Sequence, residues 1–116
     1  EVLNGTARAA LLAREWVGEE EFLLTFGDIL TEPENYRGMA EAKRGVEGVL
    51  GVRWVDDPWQ GAAVYADEAG RVERIIEKPA KGTSTTRWNS AGVYVFGPEI
   101  FEEVERVPLS ERGEYE

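Results

Sequence analysis

The stretch EFLLTFGDILTEPENYRGMAEAKRGVEGVLGVRWV, residues 21–55, reads as strand, helix, strand. Residues 21–26 are a short apolar run with one β-branched member, bounded by Gly27 and Asp28, which is the pattern of a buried strand of the parallel kind. Thr31-Glu-Pro-Glu34 fits a capping box. Pro33 falls near the first helical position, where its fixed φ and missing N–H cost nothing. A helix is predicted from there to about Arg44, stopped by Gly45. Residues 46–55 are predicted as the second strand, with glycines that leave its ends loosely defined. Strands joined through a helix are the unit of a parallel sheet.

Working outward, residues 6–17 (TARAALLAREWV) are rich in strong helix formers. Ala9, Leu12, Ala13 and Trp16 recur at helical spacing, and Gly18 offers a stop. On the other side, residues 62–65 and 71–77 are extended segments around Asp67-Glu-Ala-Gly70, a good hairpin turn. Residues 81–87 are polar and loop-like, and residues 91–96 (AGVYVF) are a further strand. Pro98 opens a last helix, to residue 104. The order predicts one α/β sandwich with a mainly parallel sheet and an antiparallel insertion. There is no internal repeat, linker or low-complexity tract.

With 42% hydrophobic residues and four each of Trp, Tyr and Phe, the 116 residues can bury a core. No apolar run approaches the roughly 18 residues of a membrane span. The first ten residues lack the basic and then apolar layout of a leader, and there is no cysteine to form disulfides, so a cytoplasmic home is the expectation. Lys and Arg number 13 against 23 Asp and Glu, a net charge of −10 that repels a nucleic-acid backbone. Small phosphorylated ligands stay open, because a divalent cation or local Lys and Arg can reverse the sign inside a cleft. With neither His nor Cys, the segment supplies no Ser-His-Asp triad, no thiolate nucleophile and no ordinary zinc site. What remains is carboxylates that hold Mg2+, Lys or Arg on phosphate, and backbone amides.

Spaced motifs then narrow the reading. They are Gly5-Thr6-Ala7 opening a helix, Phe26-Gly27-Asp28 at a strand end, Gln60-Gly61, Glu77-Lys78-Pro79, and Asn89-Ser-Ala-Gly-Val-Tyr-Val-Phe96. In this order and spacing the chain resembles the sugar-nucleotide pyrophosphorylases, nucleotidyltransferases similar to glucose-1-phosphate thymidylyltransferases and mannose-1-phosphate guanylyltransferases. The resemblance implies a three-layer, Rossmann-like nucleotidyltransferase fold with a mixed, mainly parallel sheet. It implies Mg2+ as cofactor, with a nucleoside triphosphate and a sugar 1-phosphate as substrates, no nucleic-acid polymer and no membrane, and it allows a homo-oligomer.

The resemblance gives Asp28 the Mg2+ ion. An Asp just past the carboxyl end of a buried strand also sits where ligands bind in open α/β sheets. The alternative is an Asp that only caps a turn. Glu77 would accept hydrogen bonds from sugar hydroxyls and Lys78 would face the sugar phosphate, which suits an acceptor-only carboxylate and a point-charge ammonium. The alternative is a solvated charge pair. Gly5, with Thr6, is implied to touch the nucleobase and Gly61 the sugar, each through backbone; helix entry and a loop turn are the plain alternatives. Asn89 and Gly92 are implied to line the sugar side, unless Gly92 only admits a neighbouring backbone.

Two features depart from the family. No Gly-rich triphosphate loop is present, since Gly45, Gly48 and Gly51 have the wrong spacing, and the sequence closes at Gly113-Glu-Tyr-Glu116, short of a second metal-binding Asp. The expectation is a central part of a nucleotidyltransferase domain, incomplete at both ends and inactive alone. A regulatory paralogue that binds nucleotide or sugar without catalysis, or a structural interaction module, is the alternative. Glucose 1-phosphate with dTTP or UTP is the first substrate pair, and mannose 1-phosphate with GTP the second.

Overall fold

A nine-residue strand near the carboxyl end organises the sheet. The computed structural model describes residues 5–110 and 113–115; residues 1–4, the start of the segment read as lacking a leader, lie outside the described residues. The elements are α1 (Thr6–Leu11), α2 (Arg14–Val17), β1 (Phe22–Thr25), α3 (Pro33–Ala42), β2 (Gly48–Trp54), a 3-10 turn (Pro58–Gln60), β3 (Ala62–Ala66), β4 (Val72–Glu77), β5 (Trp88–Phe96) and α4 (Ile100–Arg106).

β5 pairs with β1, β2 and β3, and β3 pairs with β4; each of these pairings is antiparallel. The sheet is therefore mostly antiparallel, which corrects the mainly parallel sheet predicted from residues 21–55. The registers give the reason. Phe22 and Gly48 both face Phe96, and Leu24 and Leu50 both face Tyr94, so β1 and β2 flank β5 on opposite edges. The two run parallel to each other, as a strand–helix–strand unit requires, but β5 occupies the place between them. A helical connection fixes the direction of the second strand and leaves its neighbour open.

Alternation along β5 sorts the layers. Tyr94 and Phe96 stack on each other at 5.5 Å, and Phe22 stacks on Phe101 of α4 at 5.2 Å, so α1 and α4 cover that face. Val93 and Val95 point to the opposite face, over which α3 packs. Met39 of α3 reaches Gly51 of β2, where a Cβ would sit in ordinary contact with its sulfur at 3.4 Å. The core is small: among the described residues Val17, Ala63, Val64, Val93, Val95 and Phe101 are the buried hydrophobic ones.

Local expectations were met unevenly. Residues 6–17 form two helices, because Leu12 and Ala13 donate to carbonyls three residues back and tighten the chain there. Leu12 and Trp16 are exposed and Val17 turns inward instead. Gly18 ends α2 at φ 61, as predicted. α3 starts with Pro33 in its first turn, but Thr31 does not cap it: its hydroxyl accepts a 2.6 Å hydrogen bond from Asn35 Nδ2. The hairpin holds. Asp67 Oδ1 accepts the Ala69 and Arg71 N–H groups, and Gly70 takes φ 81. The Arg71 N–H, and then its side chain, hold the Asp67 carboxyl below the usual carboxylate range. Pro98 precedes the last helix, which starts two residues later.

Candidate active site

Several of the residues singled out in the sequence lie along one edge of β5, because two strands share that edge. β1 occupies the part of that edge beside residues 93–96, and β3 enters beside Asn89, opposite Ala63. Between them β1 leaves the sheet. Phe26 N–H still donates to the Gly92 carbonyl at 3.0 Å, and Ile29 N–H returns to the Phe26 carbonyl, which turns Gly27 and Asp28 outward. Asp28 is exposed, and its carboxylate makes no hydrogen bond or ion pair among the described residues. Asp67 shows what a turn-capping Asp does in this chain, accepting two backbone N–H groups and an arginine. Asp28 does none of this, so its turn gives no reason for a carboxylate.

Gly92 sits in the bulge of β5 at φ 71, where a Cβ would lie 2.8 Å from the Phe26 ring. It admits a side chain from the Asp28 turn rather than a backbone. Three residues away, or about 10 Å along a strand, lies Asn89. Its side chain is buried: Nδ2 donates to the Ser90 carbonyl at 3.1 Å, and Oδ1 has no partner among the described residues. Gly61 faces it, and a Cβ on Gly61 would come 2.5 Å from Oδ1. The Asn89 amide therefore packs directly against Gly61, and a side chain on residue 61 would displace it.

The carbonyl of Gly61 accepts the Lys78 N–H at 2.7 Å, which brings the end of β4 to the same point. Glu77, opposite Ala62, and Lys78 are both exposed. Lys78 has φ 42, the only positive φ outside glycine among the described residues. That conformation costs a residue with a Cβ about 1–2 kcal/mol, and a following proline opposes it further. Such outliers persist where the surroundings over-determine them and gather at functional sites.

Gly5 and Thr6 stand at the start of α1. An apolar groove of about 460 Å3 between α1, β1 and α4 touches Thr6 and Ala7 at one point and Phe26 and Gly27 at another, linking them to the Asp28 turn. Gly5 itself abuts the Tyr115 backbone, where a Cβ would overlap the carbonyl, and Ala7 N–H donates to that oxygen at 3.1 Å. A backbone neighbour accounts for this glycine as well as a ligand does. On the opposite face, Asp28 also borders a groove of about 710 Å3 beneath α3, which no sequence motif had marked.

A family model described as nucleotidyl transferase matches residues 1–116. The chain belongs to the nucleotidyl transferase family. It is 31% identical over 113 residues to a low-salt glycan biosynthesis nucleotidyltransferase of Haloferax volcanii, covering 97% of this chain and 31% of that protein. With the UTP--glucose-1-phosphate uridylyltransferase of Bacillus subtilis it shares 30% identity over 120 residues, 96% of this chain and 41% of that one. A mannose-1-phosphate guanyltransferase beta-B of Xenopus laevis is 33% identical over 110 residues, 91% of this chain and 30% of the relative. The chain thus spans well under half the length of these relatives. Among solved structures, UDP-glucose pyrophosphorylase complexed with UDP-glucose aligns at TM-score 0.79 and 16% identity, over 99% of this chain and 48% of that one. UTP-bound UGPase from Acinetobacter baumannii aligns at TM-score 0.77 and 22% identity, over 92% and 42%. These two likenesses carry the fold.

For a nucleotidyl transferase that uses Mg2+, the donor set is sparse but compatible. No group of three or more acidic side chains gathers among the described residues. Mg2+ ordinarily keeps several waters and binds through one or two carboxylates plus substrate phosphates, and an exposed, unengaged Asp28 fits such a role. No helix among the described residues is long and apolar enough to cross a membrane. Motif reading passed over Asp57, which ties the Lys78 loop down by accepting the Gly82 N–H at 2.8 Å. Its signal was present as Asp57-Pro58, a turn-opening pair.

Proposed function

We propose that this chain carries the sugar-binding side and the metal carboxylate of a sugar-1-phosphate nucleotidylyltransferase, which makes an NDP-sugar and pyrophosphate from a sugar 1-phosphate and a nucleoside triphosphate. The observation that carries the reading is the contact of Gly61 with both Asn89 and Lys78, on the β5 edge that also receives the Asp28 turn. Lys78 faces the phosphate of the sugar phosphate. Glu77 accepts hydrogen bonds from sugar hydroxyls, Asn89 lines the sugar side, and Gly61 lets the ring come close. Gly5 and Thr6 take the nucleotide base, at the far end of the groove from the sugar. Asp28, together with the triphosphate, would hold Mg2+, which would supply neutralisation of charge at the α-phosphorus.

An oxygen of the sugar phosphate attacks the α-phosphorus, a new P–O bond forms, the α–β bridging P–O bond breaks, and pyrophosphate leaves with the electron pair. No covalent enzyme intermediate is required. The work of the protein is alignment and charge stabilisation, which a chain without His or Cys can do. Glucose 1-phosphate with dTTP or UTP is the first pair to assay and mannose 1-phosphate with GTP the second; relatives named for glucose and for mannose support both. The 116 residues alone, lacking a Gly-rich triphosphate loop, are expected to show no turnover.

Lys78→Gly tests the reading. Glycine adopts φ 42 without strain, so the melting temperature is expected to equal or exceed that of the parent. Binding should move the other way, with the sugar 1-phosphate KM of the complete gene product rising about tenfold for one lost charge-assisted contact. A variant that melts lower while its KM is unchanged would make Lys78 a structural residue and remove it from the site.

A further inference from the structure

The strained loop at Lys78 is held from one short turn, and Asp57 opens that turn. Asp57 precedes the 3-10 turn Pro58–Gln60, where an Asp side chain ordinarily caps the N–H groups that follow; it makes no such bond. Its carboxylate instead reaches across 25 residues, and Oδ2 accepts the Gly82 N–H at 2.8 Å. Oδ1 is buried without a partner among the described residues. A half-buried carboxylate with one oxygen unsatisfied is a cost to the fold, which the contact with Gly82 offsets only in part.

The same turn grips the loop at two further points. The Gly61 carbonyl takes the Lys78 N–H, and Trp59 lies under the Lys81 ammonium at 5.3 Å. The loop also closes on itself, with Thr83 donating to the Ala80 carbonyl from both N–H and Oγ1. Lys78 is thus fixed at its own N–H, and the chain after Pro79 is fixed at Lys81 and Gly82. With φ 42 opposed by both its Cβ and the following proline, Lys78 would relax toward extended backbone if the far end were released.

We infer that Asp57 is a positioning residue for the sugar 1-phosphate, acting through the Gly82 N–H to keep the 78–82 loop folded and Lys78 in its left-handed conformation. The inference rests on the function proposed above. Asp57 touches no reacting atom; it sets where the Lys78 ammonium is held, so its removal acts on sugar phosphate binding and leaves the nucleotide side alone.

The test compares Asp57→Ala and Asp57→Asn in the complete gene product. Amide hydrogen exchange at Gly82, the melting temperature, and KM and kcat for glucose 1-phosphate, mannose 1-phosphate and their nucleotides are measured. With alanine, Gly82 exchange is expected to speed up about tenfold and the sugar 1-phosphate KM to rise about tenfold, since one hydrogen bond to a charged acceptor is lost. Both kcat and the nucleotide KM should stay within about threefold of the parent. Asparagine keeps a side-chain carbonyl for the Gly82 N–H and should recover most of the loss. An alanine variant with fast Gly82 exchange and unchanged sugar KM would overturn the role of Asp57 alone, as would equal losses on both substrates. A parent that turns over neither sugar phosphate would overturn the reaction itself, and the role of Asp57 with it.

Discussion

Asp28→Asn in the complete gene product is expected to lower kcat by about 10²–10³-fold, the usual effect of losing one preorganised electrostatic contact. Asparagine keeps the shape and a hydrogen-bonding oxygen and removes the full charge, which makes it a weaker Mg2+ ligand. The triphosphate still brings metal of its own, so substrate binding should suffer less than turnover. Raising Mg2+ should restore part of the rate. A turn-capping role predicts otherwise, because Asn is itself a good turn residue and kcat would hardly move. The structure weakens that alternative by contrast: Asp67 binds two N–H groups of its turn, whereas the Asp28 carboxylate binds nothing among the described residues. Measuring kcat against Mg2+ concentration for parent and variant decides. A variant within threefold of the parent at every Mg2+ level would remove Asp28 from the reaction.

The second large effect concerns Glu77. Its alanine variant should raise the sugar 1-phosphate KM by about 5- to 150-fold, which corresponds to about 1–3 kcal/mol for a ligand hydrogen bond left unmade. The nucleotide KM should change little. Glu77 is exposed at the end of β4 and makes no side-chain hydrogen bond or ion pair among the described residues, so the fold should not notice the change. Steady-state kinetics with each substrate varied in turn give the comparison. Equal losses on both, or a lowered melting temperature, would point to a role in folding.

Local elements were readable wherever one residue or period dominates. Gly18, Pro33 and Gly70 punctuate the chain where the sequence predicted. The segments 21–26 and 46–55 were identified as strands and do run parallel to each other. What could not be read was the strand between them: β5 is encoded some 40 residues further on, and periodicity carries no information about partners. Its first three residues, Trp88-Asn-Ser90, carry no strand pattern of their own; they are polar or aromatic and become strand by pairing with Val52, Arg53 and Trp54. The same limit applies to the site. Asp28, Glu77, Lys78 and Asn89 are candidates by type and motif, but their placement along one edge of β5 depends on two strands sharing that edge. The strain at Lys78 and the reach of Asp57 are tertiary facts, set by the Gly61 carbonyl and the Gly82 N–H.

The claim at the centre of this account is that one sugar phosphate site lies along that shared edge. Backbone amide chemical shifts of the complete gene product, followed during titration with glucose 1-phosphate or mannose 1-phosphate in the presence of Mg2+, test it most directly. The account predicts that the largest shifts fall on Gly61, Lys78, Asn89 and Gly92, with smaller ones around Asp28. Shifts confined to the groove beneath α3, around Gly38 and Gly51, or no saturable shift with either sugar, would contradict it.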